Sequence, residues 1–204
     1  GTAKSNGSAA GYGNDKAIIG YGYASDYVSQ TNLVSSSGVV GTDVTGVGTA
    51  RQGLAAAGYG GDKAIFGYGS TGPNVSMTNL VSNVGVVGTD VSGVGTARVG
   101  LAAAVYGIDK AIFGYGNTGP NVSMTNLVNN LGVVAADVSG VGTARNYPAA
   151  AAYGGDKAIF AYGTTGSVTA VSNLVSSSGV VAADVTGVGT ARSASAAAGY
   201  SLSA

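Results

Sequence analysis

Short apolar runs separated by glycine and polar residues recur along the whole chain. In the second copy of the pattern, their order is LAAAGY (54–59), DKAIFGYG (62–69), VSMTNLVS (75–82) and VVGTDVSGVG (86–95). Each run has the length of a β-strand, and glycine every few residues disfavours a helix. We therefore predict four short strands, named a, b, c and d in chain order.

The connections between these runs carry residues that suit tight turns. Gly60-Gly61 and Gly13-Asn14 tolerate positive φ, as two-residue hairpin connections require. Gly-Pro at 72–73 and 119–120 also favours a turn. The four strands are therefore predicted to form one up-and-down antiparallel sheet.

The whole pattern repeats with a period of 47 residues. Four Asp–Lys pairs mark it, beginning at Asp15, Asp62, Asp109 and Asp156. The segment GVGTAR keeps the same step, and residues 1–13 align with 48–60 and with 189–201. Such a period indicates a repeat array and not a series of independent domains.

A repeat of this length with four antiparallel strands is typical of a β-propeller blade. We predict an all-β fold, a four-bladed β-propeller of 47-residue four-stranded repeats, with a β-solenoid or fibrous β-prism as the alternative. The predicted single domain is 1–204, divided into repeats 8–54, 55–101, 102–148 and 149–195, with 196–204 a partial fifth repeat that supplies the closing strand.

Strand a occurs at both ends of the sequence, at 8–13 and 196–200, one copy more than four blades require. We predict that one copy completes a blade begun at the opposite terminus. The other copy is then loose or pairs with a second chain. A monomer, a homodimer through the duplicated terminal strand and a ring of four plus four blades from two chains all stay open.

One stretch also resembles a known repeat. From Arg51 to Arg98 the chain reads AAAGYGGDKAIFGYG, then VSMTNLV, then TAR. This order resembles a kelch repeat, although Gly-Tyr-Gly at 67–69 stands where that repeat has two glycines and its tryptophan is missing. Similar kelch-like arrays occur in phage and bacterial surface or fibre proteins. The resemblance implies a binding or structural propeller and carries over no active site.

Composition narrows the classes of function. Only 9% of the residues are charged and the net charge is zero, so a broad electrostatic grip on nucleic acid is not expected. Without His or Cys, Ser-His and Cys-His nucleophiles and His-ligated metals are excluded. No apolar stretch approaches the ~20 residues of a membrane span. We expect no catalytic residue, cofactor, metal site, nucleic-acid partner or membrane span.

Most charged residues follow the period. The predicted structural charge rings are Asp15, Lys16, Asp62, Lys63, Asp109, Lys110, Asp156 and Lys157, together with Arg51, Arg98, Arg145 and Arg192. Like charges near a dry axis are costly unless an opposite charge lies close, so these groups are expected to pair or to hold turns. The alternative is an axial ion site. The remaining arginine position of the pattern is occupied by Lys4.

Nine of the twelve tyrosines also follow the period. They are Tyr12, Tyr59, Tyr106, Tyr153 and Tyr200, and Tyr21, Tyr68, Tyr115 and Tyr162. We expect them to pack inside the blades with each hydroxyl reaching a partner. The alternative is a sugar-stacking platform on every blade.

The copies differ mainly in the b–c and d–a connections, which leave an up-and-down sheet at the same end. Loops on a rigid scaffold are where recognition usually occurs. The binding candidates on this loop face are Tyr23, Asp26, Tyr27, Asn74, Asn121, Asn146 and Tyr147. The c–d turn varies as well, and this favours simple drift as the alternative.

We therefore expect a non-enzymatic structural or recognition module that binds a protein or a glycan on this loop face. The resemblance favours a virion or extracellular surface, as part of a phage or bacterial surface assembly. The alternative function is a lectin with one glycan site on each blade.

Overall fold

The structure, a computed structural model, describes residues 1–199. In this range twelve strands form four antiparallel sheets of three strands each. The prediction of an all-β fold with four repeated, blade-like sheets is confirmed. No helix among these residues combines the length and the apolar character that crossing a membrane requires.

Each sheet has predicted strand b at its centre, with a and c on either side. The first sheet contains β1 (Ser8–Tyr12), β2 (Lys16–Tyr23) and β3 (Tyr27–Val34). The second contains β4 (Ala55–Tyr59), β5 (Lys63–Gly67) and β6 (Thr78–Val81). The third contains β7 (Ala102–Tyr106), β8 (Lys110–Gly114) and β9 (Thr125–Val128), and the fourth contains β10 (Ala149–Tyr153), β11 (Lys157–Ala161) and β12 (Ser172–Val175).

The a–b hairpins are one residue longer than predicted. Tyr59 pairs with Lys63, so the loop is 60–62 and includes the aspartate. Gly60 and Gly61 both have positive φ, 61° and 82°. The glycines therefore do what the sequence indicated, because only glycine adopts this backbone readily.

Predicted strand d does not form a regular strand, so each sheet has three strands and not four. In the second repeat this segment meets β6 only at two isolated bridges, Val81 to Val87 and Thr78 to Val91. The register slips by one residue between these bridges. Asp90 lies in the slip and turns its carboxylate toward Thr49, which explains why regular pairing stops.

Neighbouring sheets stack in chain order and are joined by a backbone ladder through the d–a connections. Its hydrogen bonds run from Gly53 N to Asn6 O, Gly100 N to Gly53 O, Tyr147 N to Gly100 O and Ala194 N to Tyr147 O. In a closed four-bladed ring, Asn6 and Ala194 would occupy one place because they are four periods apart. Here they lie on the first and last positions of the ladder. The sheets therefore form an open, propeller-like stack.

Small side chains on strand a allow the sheets to pack closely. Ala55 and Ala57 of β4 and Ile65 of β5 are buried in one cluster with Leu101 and Phe113 of the next repeat. Equivalent clusters join the first sheet to the second and the third to the fourth. Burial of this apolar surface and its close packing hold the stack together.

The partial fifth repeat continues the stack. Gly163 N donates to Arg192 O at 2.9 Å, as Gly116 N does to Arg145 O. Of the predicted closing strand at 196–204, residues 196–199 lie against β10 without forming a strand, and 200–204 lie outside the described residues.

Candidate recognition surface

Three of the repeated arginines, Arg51, Arg98 and Arg145, are buried clamps between neighbouring repeats. The Arg98 side chain is fully buried. Its Nε donates to Tyr115 O at 2.9 Å, and its two terminal nitrogens donate to Thr96 O at 3.1 Å and Asn126 Oδ1 at 2.7 Å. The guanidinium lies 4.3 Å from the ring centre of Tyr68 in the same repeat, whereas Tyr115 and Asn126 belong to the next repeat. Burial lowers the pKa of Arg98, and it also keeps the guanidinium out of reach of a dissolved anion.

The tyrosine of the Gly-Tyr-Gly motif is buried and strained. Tyr68 has φ +64°, a left-handed conformation that costs a non-glycine residue about 1 kcal/mol. Its hydroxyl donates to Val94 O at 3.1 Å, and its ring packs edge-on at 5.2 Å from Phe113 of the next repeat. Burial raises the pKa of Tyr68 to about 12. Tyr21, Tyr68 and Tyr115 are buried, and each hydroxyl donates to a backbone carbonyl. Tyr153 and Tyr162 are half-exposed, and Tyr200 lies outside the described residues.

A second set of aspartates fastens the d segment of each repeat to the threonine that precedes its strand a. Asp90 accepts hydrogen bonds from Thr49 N, Thr49 Oγ1 and Asn79 Nδ2, at 3.0, 2.7 and 3.0 Å. Partial burial works to raise the pKa of Asp90, but these bonds and the charge of Arg51 together lower it. Arg51 lies 4.0 Å away. The arginines and these aspartates are therefore near one another, as expected.

The Asp–Lys pairs lie on the surface at the a–b turns. Each lysine contacts the aspartate before it, at distances between 2.6 and 3.2 Å. Hydrogen bonds from Lys63 and Asn83 lower the pKa of Asp62. Exposed pairs of this kind contribute roughly 0–1 kcal/mol. Their backbone matters more, because Asp62 O accepts from Gly13 N of the preceding repeat at 2.7 Å.

The variable b–c and d–a connections lie side by side along one edge of the stack. Gln52 bridges Ser70, and Asn146 bridges Thr164 in the fourth sheet. Each bridge joins a d–a connection to a b–c connection of the same repeat. The sequence prediction that both connections emerge at one end agrees with this placement.

The first repeat carries an exposed aromatic pair on this edge. Tyr23 and Tyr27 meet edge to face with ring centres 5.6 Å apart, and Tyr23 is 38% exposed. Asp26 Oδ1 accepts from Tyr27 N at 2.7 Å, which fixes the turn between the two rings. Asp26 itself is exposed.

Two of the binding candidates serve the scaffold. Asn74 Nδ2 donates to Asn117 O, and Asn121 Nδ2 donates to Thr164 O, each at 3.0 Å. Both bonds join the b–c loop of one repeat to that of the next. The side-chain amides of Asn74 and Asn121 therefore link neighbouring repeats.

The last two candidates lie at the d–a connection before β10. Tyr147 is 43% exposed and packs beside Gly100, where an added Cβ would lie 3.2 Å from its ring. It borders a groove of about 300 Å³ that follows the ladder and is lined also by Asn6 and Ala194. Asn146 is half-buried, and its Oδ1 has no hydrogen-bond partner among the described residues.

The candidates that do not join repeats come from two parts of the chain. Tyr23, Asp26 and Tyr27 belong to the first repeat, whereas Asn146 and Tyr147 belong to the fourth position of the ladder. Sequence reasoning missed the buried asparagines Asn79 and Asn126, which accept a hydrogen bond from Arg51 and from Arg98. The sequence contains a pattern that could have identified them, because an asparagine precedes a leucine in every c strand.

Comparison with protein-family models and with curated proteins gave no match to this chain.

Proposed function

We propose that this chain is a non-enzymatic structural and recognition module that presents variable loops on a rigid stack of repeats. One observation carries the proposal. The repeated polar and aromatic side chains bind each other inside the stack, whereas Tyr23 and Tyr147 break the repeat and are exposed on the loop edge. The ligand we propose is a protein or a glycan, and the zero net charge speaks against nucleic acid.

The hydrogen bonds and ion pairs of the aspartate carboxylates support a non-catalytic role. General acid–base chemistry requires a carboxyl group that can reach substrate. All eight repeated aspartates hold a protein donor: four pair with lysine, and four accept from threonine and asparagine. Asp26 accepts from its own turn.

The site of action we propose is a phage or bacterial surface assembly. Its support is the resemblance to kelch-like arrays, together with an open stack in which one edge carries the variable b–c and d–a connections. Rigid repeat stacks commonly provide such extended binding surfaces.

A triple variant tests whether the exposed tyrosines are recognition residues or part of the scaffold. Tyr23→Ala, Tyr27→Ala and Tyr147→Ala in one chain should change the free energy of unfolding in urea by no more than about 1 kcal/mol. The buried Phe113→Ala is the comparison variant, with an expected loss of about 3–5 kcal/mol. If the triple variant loses as much as Phe113→Ala, the tyrosines belong to the scaffold and the proposal fails.

A glycan-binding role is the second candidate, and the Tyr23–Tyr27 pair favours it. The periodic tyrosines are buried, as with Tyr68, so a platform on every blade has no exposed rings in the inner repeats. An exposed aromatic pair next to a carboxylate suits a sugar, which offers an apolar ring face and hydroxyl donors.

A glycan array separates the two candidates. The full chain should bind a reproducible set of glycans, and Tyr23→Ala should remove that binding while Tyr147→Ala retains it. No binding by the full chain, or binding that survives Tyr23→Ala, rejects the glycan candidate and leaves a protein ligand.

A further inference from the structure

One aromatic–glycine contact recurs at each junction between sheets. The rings of Phe66, Phe113 and Phe160 lie over Gly20, Gly67 and Gly114 of the preceding repeat. A Cβ added at Gly67 would come within 2.7 Å of Phe113 Cζ. The ring therefore requires glycine at the position beneath it.

This pair has two exceptions, one at each end of the stack. In the first sheet the phenylalanine position holds Ile19, which is 36% exposed. In the fourth sheet the glycine position holds Ala161, on a face that β11 turns away from the third sheet. An isoleucine is shorter than a phenylalanine, so it leaves room for the methyl group of an alanine. Exchanges that conserve volume in this way are well tolerated in packed interfaces.

A second aromatic–glycine contact also recurs at each junction and also lacks one partner at each end of the described stack. The rings of Tyr12, Tyr59 and Tyr106 lie over Gly85, Gly132 and Gly179 of the next repeat. At the ends, a Cβ added at Gly38 would meet nothing within 4 Å among the described residues, and Tyr153 is half-exposed where its three counterparts are 4% exposed. In the part of the chain that the structure describes, the first sheet thus leaves Ile19 and Gly38 without their junction partners, and the fourth sheet leaves Ala161 and Tyr153 without theirs.

We propose that the fourth sheet of one copy receives the first sheet of a second copy, so that chains associate head to tail with Ile19 of one on Ala161 of the next. In the open stack these two residues belong to the first and last sheets of one chain. Each inner junction shows how a repeat fits on the sheet before it. A junction of this kind joins unlike faces, and such contacts close into a ring or extend into a filament according to the rotation between copies. We expect a filament, because the stack of one chain does not close on itself.

Residues 189–199, which follow the fourth sheet, already cover part of the surface that would receive the second copy. Arg192 lies 4.0 Å from the ring centre of Tyr162, and Ala194 N donates to Tyr147 O at 3.1 Å. A cavity of about 190 Å³ is left between this segment and the fourth sheet, lined by Ala161 and Ile159. Residues 1–11 of a second copy align with 189–199 and displace them. Their release breaks the isolated Thr169–Arg192 bridge and the backbone hydrogen bonds of Arg192 and Ala194, but no regular strand.

Disulfide trapping tests the proposal in the full chain, which has no native cysteine. After mild oxidation, the double variant Ile19→Cys/Ala161→Cys should give a ladder of disulfide-linked multimers on a non-reducing gel. Each single variant should give no species beyond a dimer. A monomer with an internal disulfide would mean that the ring closes within one chain. That result, or the absence of any disulfide, overturns the proposal.

Sedimentation velocity provides a second test without cross-links. The full chain should associate more as its concentration rises, and Ile19→Phe should weaken association at least tenfold because the ring meets the Ala161 methyl group. Adding Ala161→Gly should restore association. Circular dichroism should be unchanged in both variants, since Ile19 is on an outer face. A chain that stays monomeric, or a double variant that does not recover, contradicts head-to-tail association.

Discussion

The arginine position of each repeat requires the guanidinium group and not only a positive charge. The first repeat shows the contrast, because Lys4 occupies the same position and donates only to Gln30 O and Asn32 Oδ1, at 2.9 and 3.2 Å. Burial lowers the pKa of Lys4. A lysine cannot reach three acceptors in fixed directions while stacking on a ring.

Arg98→Lys should therefore lower the free energy of unfolding by about 2–4 kcal/mol, because Tyr115 O and Thr96 O lose a buried donor. Urea titration followed by circular dichroism measures the loss. The control is Lys110→Arg at an exposed ion pair, which should change stability by about 0.5 kcal/mol or less. Equal effects of the two changes would show that the clamp contributes nothing beyond charge.

The glycine after the strained tyrosine offers a second test at a single residue. Gly69 has φ +107°, and an added Cβ would lie 2.7 Å from Gln52 O. Gly72 has nearly the same φ, +109°, but nothing within 4 Å of its added Cβ.

Gly72→Ala should cost only the backbone strain, about 1–3 kcal/mol. Gly69→Ala should cost clearly more in the same urea titration, because the backbone contact adds to that strain. If the two variants are equally stable, close approach at Gly69 is not what requires glycine.

At the scale of the strand, the sequence predicts three of the four segments well. Strands a, b and c form where the apolar runs are, because their side chains are buried between sheets. Segment d has an equally apolar run, yet Val86 is 64% exposed, while Val87 beside it packs against a core cluster. Alternation of residue types cannot reveal the one-residue slip at Asp90, where the carboxylate bonds Thr49 of a distant segment.

The same threonine–aspartate contacts make the sheets sensitive to acid. Hydrogen bonds from Thr2 and Asn32 lower the pKa of Asp43 to about 2, and the pKa of Asp137 is lowered as well. A carboxyl whose pKa is lower in the folded state stabilises the fold above its unfolded pKa of about 4. That stabilisation is lost as pH falls through the folded pKa.

The thermal unfolding midpoint should therefore be nearly constant from about pH 7 to 5 and fall between about pH 4 and 2. Asp137→Asn should be less stable at pH 7, because an amide offers Thr96 and Asn126 one acceptor fewer. Its decline below pH 4 should be shallower than that of the unaltered chain. Parallel curves for the two proteins would show that Asp137 takes no part in the acid dependence.

For the whole molecule, the sequence predicts the number of sheets but not whether they close. The 47-residue period and the interlocking residues are the same in a ring and in an open stack. A ring differs from an open stack only in whether the fourth sheet packs against the first. The residues of that contact lie farther apart in the sequence than those of any other contact between sheets. Ile19 and Ala161 depart from the repeated pattern, but what each would pack against appears only once Phe113 is seen over Gly67. Of the predicted binding candidates, Tyr23 and Tyr147 are exposed and Tyr27 is half-buried, while Asn74 and Asn121 join repeats.

The backbone ladder through the d–a connections has a mechanical consequence. Each of its hydrogen bonds joins a repeat only to the next, so no contact spreads tension over the whole chain. When the two ends are pulled in an optical trap, the stack should peel repeat by repeat. Each step should release 47 residues, about 160 Å of extended chain at roughly 3.4 Å per residue. A single rip of the full length would contradict this, whereas equal steps would mark a molecule that lengthens under load in fixed increments.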